Sequence, residues 1–129
     1  MEAILKILVE MIRKDLKIAE DFLIEVKTGW PKPFEHCCIC YPLASGYKEN
    51  KPYGVEIKIN YEHSLIGAVF DLLHEMWHAK EYYKNRDLSL KEIENKKPFL
   101  SELRADFFAL RKFWKYYKLA VSLDGAAGI

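Results

Sequence analysis

The hydrophobic pattern of this chain changes its period near the middle of the sequence, and that change constrains the fold more than any other feature. Residues 55–61 alternate, with Val55, Ile57 and Ile59 on one side of a predicted strand and polar residues on the other, water-facing side. From residue 65 to residue 84 the apolar residues recur at helical spacing instead. The sequence therefore predicts a strand that is followed closely by a long helix.

The flanking segments predict one helix and two strands before this pair, and one helix after it. Residues 2–17 are amphipathic at helical spacing, whereas residues 21–27 and 35–41 have strand-like patterns. A last helix is predicted from Pro98 to about residue 120, because proline suits a first helical turn. The predicted class is α+β, with a small, mostly antiparallel three-stranded sheet.

Further predictions concern the last helix and the segments that flank it. The core-facing stripe of this helix is predicted to consist of large apolar residues at helical spacing, namely Phe99, Leu103, Phe107, Leu110, Trp114, Tyr117 and Val121. Residues 122–129 are small and rich in glycine, so they are predicted to form a slim C-terminal tail. Residues 85–97 are a polar connection between the two long helices, with a short helical turn near 89–94.

Length and composition favour one globular domain that covers residues 1–129. The chain has 20 Lys and Arg residues against 19 Asp and Glu residues, so its net charge predicts neither nucleic acid nor an anionic membrane as a partner. No stretch approaches the roughly 18 uninterrupted apolar residues of a membrane span, and the N-terminus lacks a signal-peptide pattern. Crowded cysteines at positions 37, 38 and 40 suit a reducing compartment, and we expect a cytoplasmic protein.

The string HEMWH at residues 74–78 is the feature that carries chemistry. Imidazoles at positions i and i+4 of a helix lie about 40° apart around the axis and roughly 6 Å along it, so His74 and His78 can bind one ion. Zn²⁺ accepts such ligands in a tetrahedral site, and one zinc ion is predicted. Glu75 lies beside the metal without having to bind it, which suits a general base that takes a proton from water.

A catalytic zinc site needs a third protein ligand and one position open to water. No histidine follows His78, and the upstream His36 and His63 are more typical of a strand and of a helix entry. The downstream acidic candidates are Glu81, Asp87, Glu92, Glu94, Glu102, Asp106 and Asp124. Glu102 is the predicted third ligand, because it lies one turn into the last helix, beside the apolar stripe. Asp106 lies one turn further, where it can accept the second N–H of a ligating imidazole.

These residues resemble a known family. The pattern His74-Glu75-x-x-His78, followed 24 residues later by Glu102-x-x-Ala105-Asp106, resembles that of the gluzincin metallopeptidases. Small size and element order look most like the minigluzincins, which are single-domain members. The string in the last helix is also similar to that of compact metalloproteases that cleave phage and stress-response repressors. The resemblance covers roughly residues 55–115.

The resemblance implies a zinc-dependent endopeptidase that acts on a peptide or protein substrate, with the ligands and the base named above. It also implies that the strand with Val55, Ile57 and Ile59 is a sheet edge that aligns an extended substrate by β-addition. Compact peptidases of this kind occur in latent forms. We therefore expect residues 122–129 to be a candidate occupant of the cleft, in the same chain or through self-association.

The residues also leave two other functions open. Zinc could tie two helices together in a non-catalytic scaffold domain, or the enzyme could act on a single partner in repressor or toxin control. Glu75 favours catalysis over a scaffold, since a structural site has no use for a carboxylate beside an open metal position. The substrate alone separates the third alternative from the first.

Three further features have ordinary structural interpretations. The cysteines at positions 37, 38 and 40 with His36 do not favour a second metal site, because adjacent strand residues point to opposite faces. The basic and aromatic run at residues 111–118 fits a helix with a buried aromatic face and solvated cations rather than a nucleic-acid binder. Tyr82, Tyr83 and Arg86 are available to steady an oxyanion, but they are typical surface residues.

Overall fold

The structure is a computed structural model that describes residues 1–28, 38–44, 50–60, 64–96 and 100–127. Its elements are α1 (Glu2–Leu16), β1 (Leu23–Lys27), β2 (Cys38–Leu43), β3 (Gly54–Ile59), α2 (Leu65–Lys84), α3 (Leu90–Lys96) and α4 (Ser101–Ala127). The α+β class is confirmed, and α3 takes the place of the expected helical turn. In the described part of the chain, no helix is both long and apolar enough to cross a membrane. The predictions for His36, Cys37, His63, residues 98–99 and residues 128–129 fall outside the described residues.

β3 lies in the middle of the sheet, whose strand order is β1-β3-β2. It pairs in parallel with β1 and antiparallel with β2, so the sheet is mixed and the prediction of a mostly antiparallel sheet is wrong in this detail. Gly54 allows β1 to approach, because a Cβ there would lie 2.4 Å from the Leu23 carbonyl oxygen. Alternation along a strand indicates its two faces but says nothing about its neighbours.

The central position of β3 contradicts the prediction that it is a substrate-aligning edge. Val55, Ile57 and Ile59 are fully buried in the core, and strands pair with β3 on both sides. On the opposite face the Glu56 carboxylate accepts a hydrogen bond of 2.9 Å from the Tyr41 hydroxyl of β2. These residues therefore stabilise the fold and cannot touch a substrate.

α2 forms the centre of the molecule, because it packs against the sheet, α1 and α4. Its predicted apolar side is confirmed, since Val69, Leu72, Leu73 and Met76 are fully buried. They belong to one core cluster with the inward faces of α1 and β3. A helix that is packed on three sides is held rigidly, so the polar side chains that it carries are positioned by the core.

α4 buries a different face from the predicted one. The residues that it buries are Ser101, Ala105, Phe108, Ala109, Tyr116 and Ala120. Of the predicted core stripe, Leu103, Phe107, Leu110, Trp114 and Val121 are exposed, and Tyr117 is half-buried. α4 has two apolar faces, and the face with three alanines lies against α2 because small residues let two helices approach closely. The predicted stripe is thus largely wrong, whereas the predicted aromatic face of residues 111–118 is largely confirmed, because Tyr116 is buried and Phe113 and Tyr117 pack against the core.

α4 also continues past its predicted end. It runs to Ala127, so residues 122–127 are helical rather than a slim tail. At 1.5 Å of rise per residue, Ser122 lies roughly 30 Å along the helix from Glu102. Residues 122–127 therefore do not occupy the cleft of their own chain in this structure. A glycine inside a helix costs only about 1 kcal/mol, which is why Gly125 does not end it.

A polar contact ties the middle of α4 to α1. The Tyr116 hydroxyl, on a fully buried side chain, donates to the Asp15 carboxylate, which also pairs with the Lys115 ammonium at 2.9 Å. The hydrogen bond from Tyr116 is the main reason why the pKa of Asp15 lies below its usual value. This contact fixes the register of α4 against the core.

We expect Tyr116→Phe to lower the free energy of unfolding by about 1–2 kcal/mol, because it removes a hydrogen bond to a charged group and leaves the packing intact. Urea denaturation measures this as a lower midpoint with an unchanged slope. Tyr117→Phe is the matched control, since that half-buried ring stacks on Phe113 at 5.3 Å. Equal effects of the two substitutions would contradict the role of the Asp15 contact.

Candidate metal centre

The candidate site lies where α2 crosses the N-terminal part of α4. His74 and His78 are one helical turn apart on α2, and Glu102 lies in the first turn of α4. The close packing of the two helices brings these residues together although 24 positions separate His78 from Glu102. The core thus fixes two of the side chains, and the crossing of the helices brings in the third.

Three side chains converge at the crossing. Nε2 of His74 lies 2.9 Å from Oε2 of Glu102, and Nε2 of His78 lies 3.0 Å from Oε1 of the same carboxylate. The two Nε2 atoms are 3.3 Å apart. These residues form a group that can hold a metal ion, and within the described residues no second such group of His, Cys, Asp or Glu is found.

The hydrogen bonds on the far sides of the imidazoles determine what their inner nitrogens offer. Nδ1 of His74 lies 2.7 Å from Oδ1 of Asp106, and Nδ1 of His78 lies 2.8 Å from Oε1 of Glu81. An ionised carboxylate only accepts, so both Nδ1 atoms carry the proton. In neutral rings both Nε2 atoms then point a lone pair at the Glu102 oxygens, and a metal ion between them or a proton on one Nε2 makes that arrangement favourable.

Protonation of both rings would be a poor substitute for a metal ion. Two imidazolium groups with their Nε2 atoms 3.3 Å apart repel each other. Burial disfavours a charged His78, although the hydrogen bond with Glu81 and the nearby carboxylates outweigh it and raise the pKa of His78 above its usual value. The donor set of two imidazole lone pairs and one carboxylate therefore fits a divalent metal ion better than it fits protons.

The support behind His78 was not predicted from the sequence. Glu81 was only one of several acidic candidates for the metal itself, but its carboxylate instead accepts from His78 and from the Ser101 hydroxyl at 2.7 Å. Ser101 is buried directly before Glu102 in the chain. The signal that could have revealed Glu81 is its spacing, since i and i+3 residues are neighbours on a helix.

Glu75 lies beside the ligand group and outside it. Its side chain is 7% exposed, and Oε1 lies 3.9 Å from Nε2 of His74. The Cys38 thiol donates to Oε1 at 3.2 Å. Burial raises the pKa of Glu75, while the hydrogen bond from Cys38 and the two histidines act in the opposite direction. The carboxylate is thus held next to the metal position by the end of β2.

The other predicted candidates lie in ordinary packing. Arg86 stacks on the Tyr83 ring, 4.0 Å from its centroid, and the same ring packs edge-on against Phe22. Tyr82 is half-buried, and burial raises its pKa to about 12. Cys40 is half-buried against the core. These contacts explain the positions of the side chains without assigning any of them to an oxyanion.

Comparison of the chain with protein-family models, with characterised proteins and with solved structures finds no match. Any function must therefore be argued from the site itself.

We expect the wild-type chain to bind one divalent ion per molecule, and His78→Ala and Glu102→Ala to lose this ion. Each substitution removes one of three ligands, and two ligands rarely retain a metal ion against water. Isothermal titration with Zn²⁺ measures how many ions the wild type and each variant bind per chain, and elemental analysis after dialysis checks these numbers. Glu20→Ala is the control, because this exposed carboxylate lies in the turn before β1. Full stoichiometry in either ligand variant would contradict the assignment.

Substitution of Glu81 tests the hydrogen bond between its carboxylate and His78, which was not predicted from the sequence. Glu81→Ala leaves all three ligands in place but frees the His78 ring to rotate, so metal affinity should fall about 10–100-fold. Ser101→Ala should have a smaller effect in the same direction, since the Ser101 hydroxyl contacts Glu81 at 2.7 Å and the His78 Nδ1 only at 3.3 Å. Competition with a chelator of known affinity gives the dissociation constants. Unchanged affinity in Glu81→Ala would show that Glu81 does not orient the ring.

Proposed function

We propose that this chain is a zinc-dependent endopeptidase in which His74, His78 and Glu102 hold the ion and Glu75 is the general base. One observation carries the proposal: a buried carboxylate lies next to the ligand group without joining it. Burial of a carboxylate is unfavourable, so its position needs a chemical reason. Proton transfer at the metal position supplies that reason, and it agrees with the resemblance of the motif to the gluzincins.

The spacing of the ligand atoms supports zinc. Tetrahedral bonds of about 2.0–2.1 Å place ligand atoms about 3.3 Å from one another. The two Nε2 atoms are 3.3 Å apart, and each lies 2.9 or 3.0 Å from one of the two Glu102 oxygens. Two histidines and one glutamate leave a fourth position, and the Glu102 side chain is 68% exposed, so the group opens to solvent. Structural zinc sites are instead closed by four protein ligands.

A zinc ion bound there polarises a peptide carbonyl and lowers the pKa of water towards about 7. Glu75 takes the proton of the attacking water and then delivers it to the leaving amine, so one carboxylate acts as base and as acid. The Cys38 thiol orients the carboxylate, while Asp106 and Glu81 keep the two imidazoles in the required tautomer.

We assign the alignment of the substrate to β2 rather than to β3. It lies at the edge of the described sheet, and its first residue contacts Glu75. An extended peptide that pairs with this edge would run past the metal position and gain main-chain hydrogen bonds independent of its sequence. Pro42, which lacks an N–H, is tolerated at an edge because it interrupts fewer pairs there.

We expect Glu75→Gln to bind Zn²⁺ with wild-type stoichiometry and to lose at least about 100-fold in kcat/KM, because the amide cannot accept and return a proton. Hydrolysis of a quenched fluorescent protein substrate measures the rate. Glu25→Gln on β1 is the matched control and should keep normal activity.

Two outcomes would contradict this proposal. Normal turnover by Glu75→Gln would remove the general base from the mechanism. A zinc-loaded wild type that hydrolyses no peptide in a broad library, while zinc raises its melting temperature strongly, would instead identify a scaffold in which the metal ties α2 to α4.

A further inference from the structure

A row of large apolar side chains runs along the outer face of α4. We name this row the α4 seam, and it consists of Leu100, Leu103, Phe107, Leu110, Trp114, Tyr117 and Val121. Apart from the half-buried Tyr117, these residues are between 44% and 66% exposed. Single exposed apolar residues are common, but seven in one line on one helix are not.

The spacing of the α4 seam is that of a coiled coil. Its members are separated alternately by three and four positions from Leu100 to Val121, which is a heptad a/d pattern over three heptads. Leu100 precedes the helix but shares its register, because its carbonyl accepts from the Arg104 N–H at 2.9 Å. Such a pattern is typical of a helix face that packs against another helix. In this chain α2 packs on the opposite face instead.

The exposed area is large enough for a stable interface. With aromatic side chains of about 150–250 Å² and smaller aliphatic ones, the exposed part of the seam amounts to roughly 700 Å². A standard interface buries about 800 Å² on each partner, whereas the largest apolar patch of a monomer is usually about 300–600 Å². A groove of about 440 Å³ beside Leu110 and Trp114 adds apolar surface from Ile66 and Phe70 of α2.

The two flanks of the seam differ in their charge and in how far the chain's own domain buries them. On one side Arg104, Arg111 and Lys118 recur every seven residues and are all exposed. On the other side Asp106, Phe113 and Ala120 are half-buried or buried against the chain's own domain. The seam therefore has one bare basic flank and one flank that is covered by its own molecule.

From these features we propose that the α4 seam is a homodimer interface in which the α4 helices of two copies pack in parallel. A parallel pair places each basic flank against the covered flank of the other copy, where Arg111 meets Asp106 and Lys118 meets the Phe113 ring. In an antiparallel pair the two basic flanks would face each other and repel. The two covered flanks would also face each other, which would bring both domains to the same side of the helix pair. The parallel pairing is isologous, so it closes after two copies.

The proposal is tested by sedimentation equilibrium of the full chain from 1 to 200 μM. The wild type forms a dimer in this range, and the double variant Leu110→Glu/Trp114→Glu weakens association by at least about 100-fold. Both substituted residues are exposed, so the monomer keeps its helical circular dichroism. Ser122→Glu, which adds one charge at an exposed position of α4 outside the seam, leaves the dimer intact.

Charge reversal tests the orientation. In the parallel pair Arg111→Glu faces Asp106 of the second copy and weakens the dimer, whereas in an antiparallel pair it would relieve repulsion and strengthen it. A wild type that stays monomeric at 200 μM overturns the proposal, as does a dimer that the double variant leaves unchanged. A monomer that binds vesicles of anionic phospholipid through Trp114 also overturns it and assigns the seam to a membrane surface. None of these outcomes depends on peptidase activity.

Discussion

The fold brings two imidazoles and four carboxylates into one small space, and the rest of the site depends on how that charge is balanced. Asp106 and Glu81 accept hydrogen bonds from the outer N–H groups of His74 and His78, and Glu102 faces both inner nitrogens. Without a cation, lone pairs oppose lone pairs at about the distance of a hydrogen bond. A metal ion bound there would relieve this repulsion and would link α2 to α4.

The different faces of α4 make different contacts. Alanines at 105 and 109 let it approach α2 closely, which brings the residues of its first two turns within reach of the histidines. The Tyr116 contact with Asp15 fixes the helix further along. The large side chains remain outside, where they form the seam. One helix thus carries the proposed ligand Glu102, the His74 partner Asp106 and the surface that we propose for association.

Patterns within a single element could be read from the sequence, and relations between elements could not. The helical spacing of residues 65–84 gave α2 and its buried side, and the motif gave the ligands that the structure brings together. Alternation could not show that β3 is central, since that depends on which strands pair. Nor could spacing show which apolar face of α4 is buried, because both faces are helical in period. The role of Glu81 was missed, because its i, i+3 spacing from His78 shows that the two side chains can meet but not that Ser101 of α4 holds the carboxylate there.

Anomalous diffraction at the zinc edge, measured on crystals grown with Zn²⁺, locates the metal ion on the chain. We expect one anomalous peak per chain, about 2.0–2.2 Å from Nε2 of His74, Nε2 of His78 and a Glu102 oxygen, with Glu75 outside bonding distance. A map without a peak at the crossing of α2 and α4, or with the strongest peak elsewhere on the chain, would contradict it.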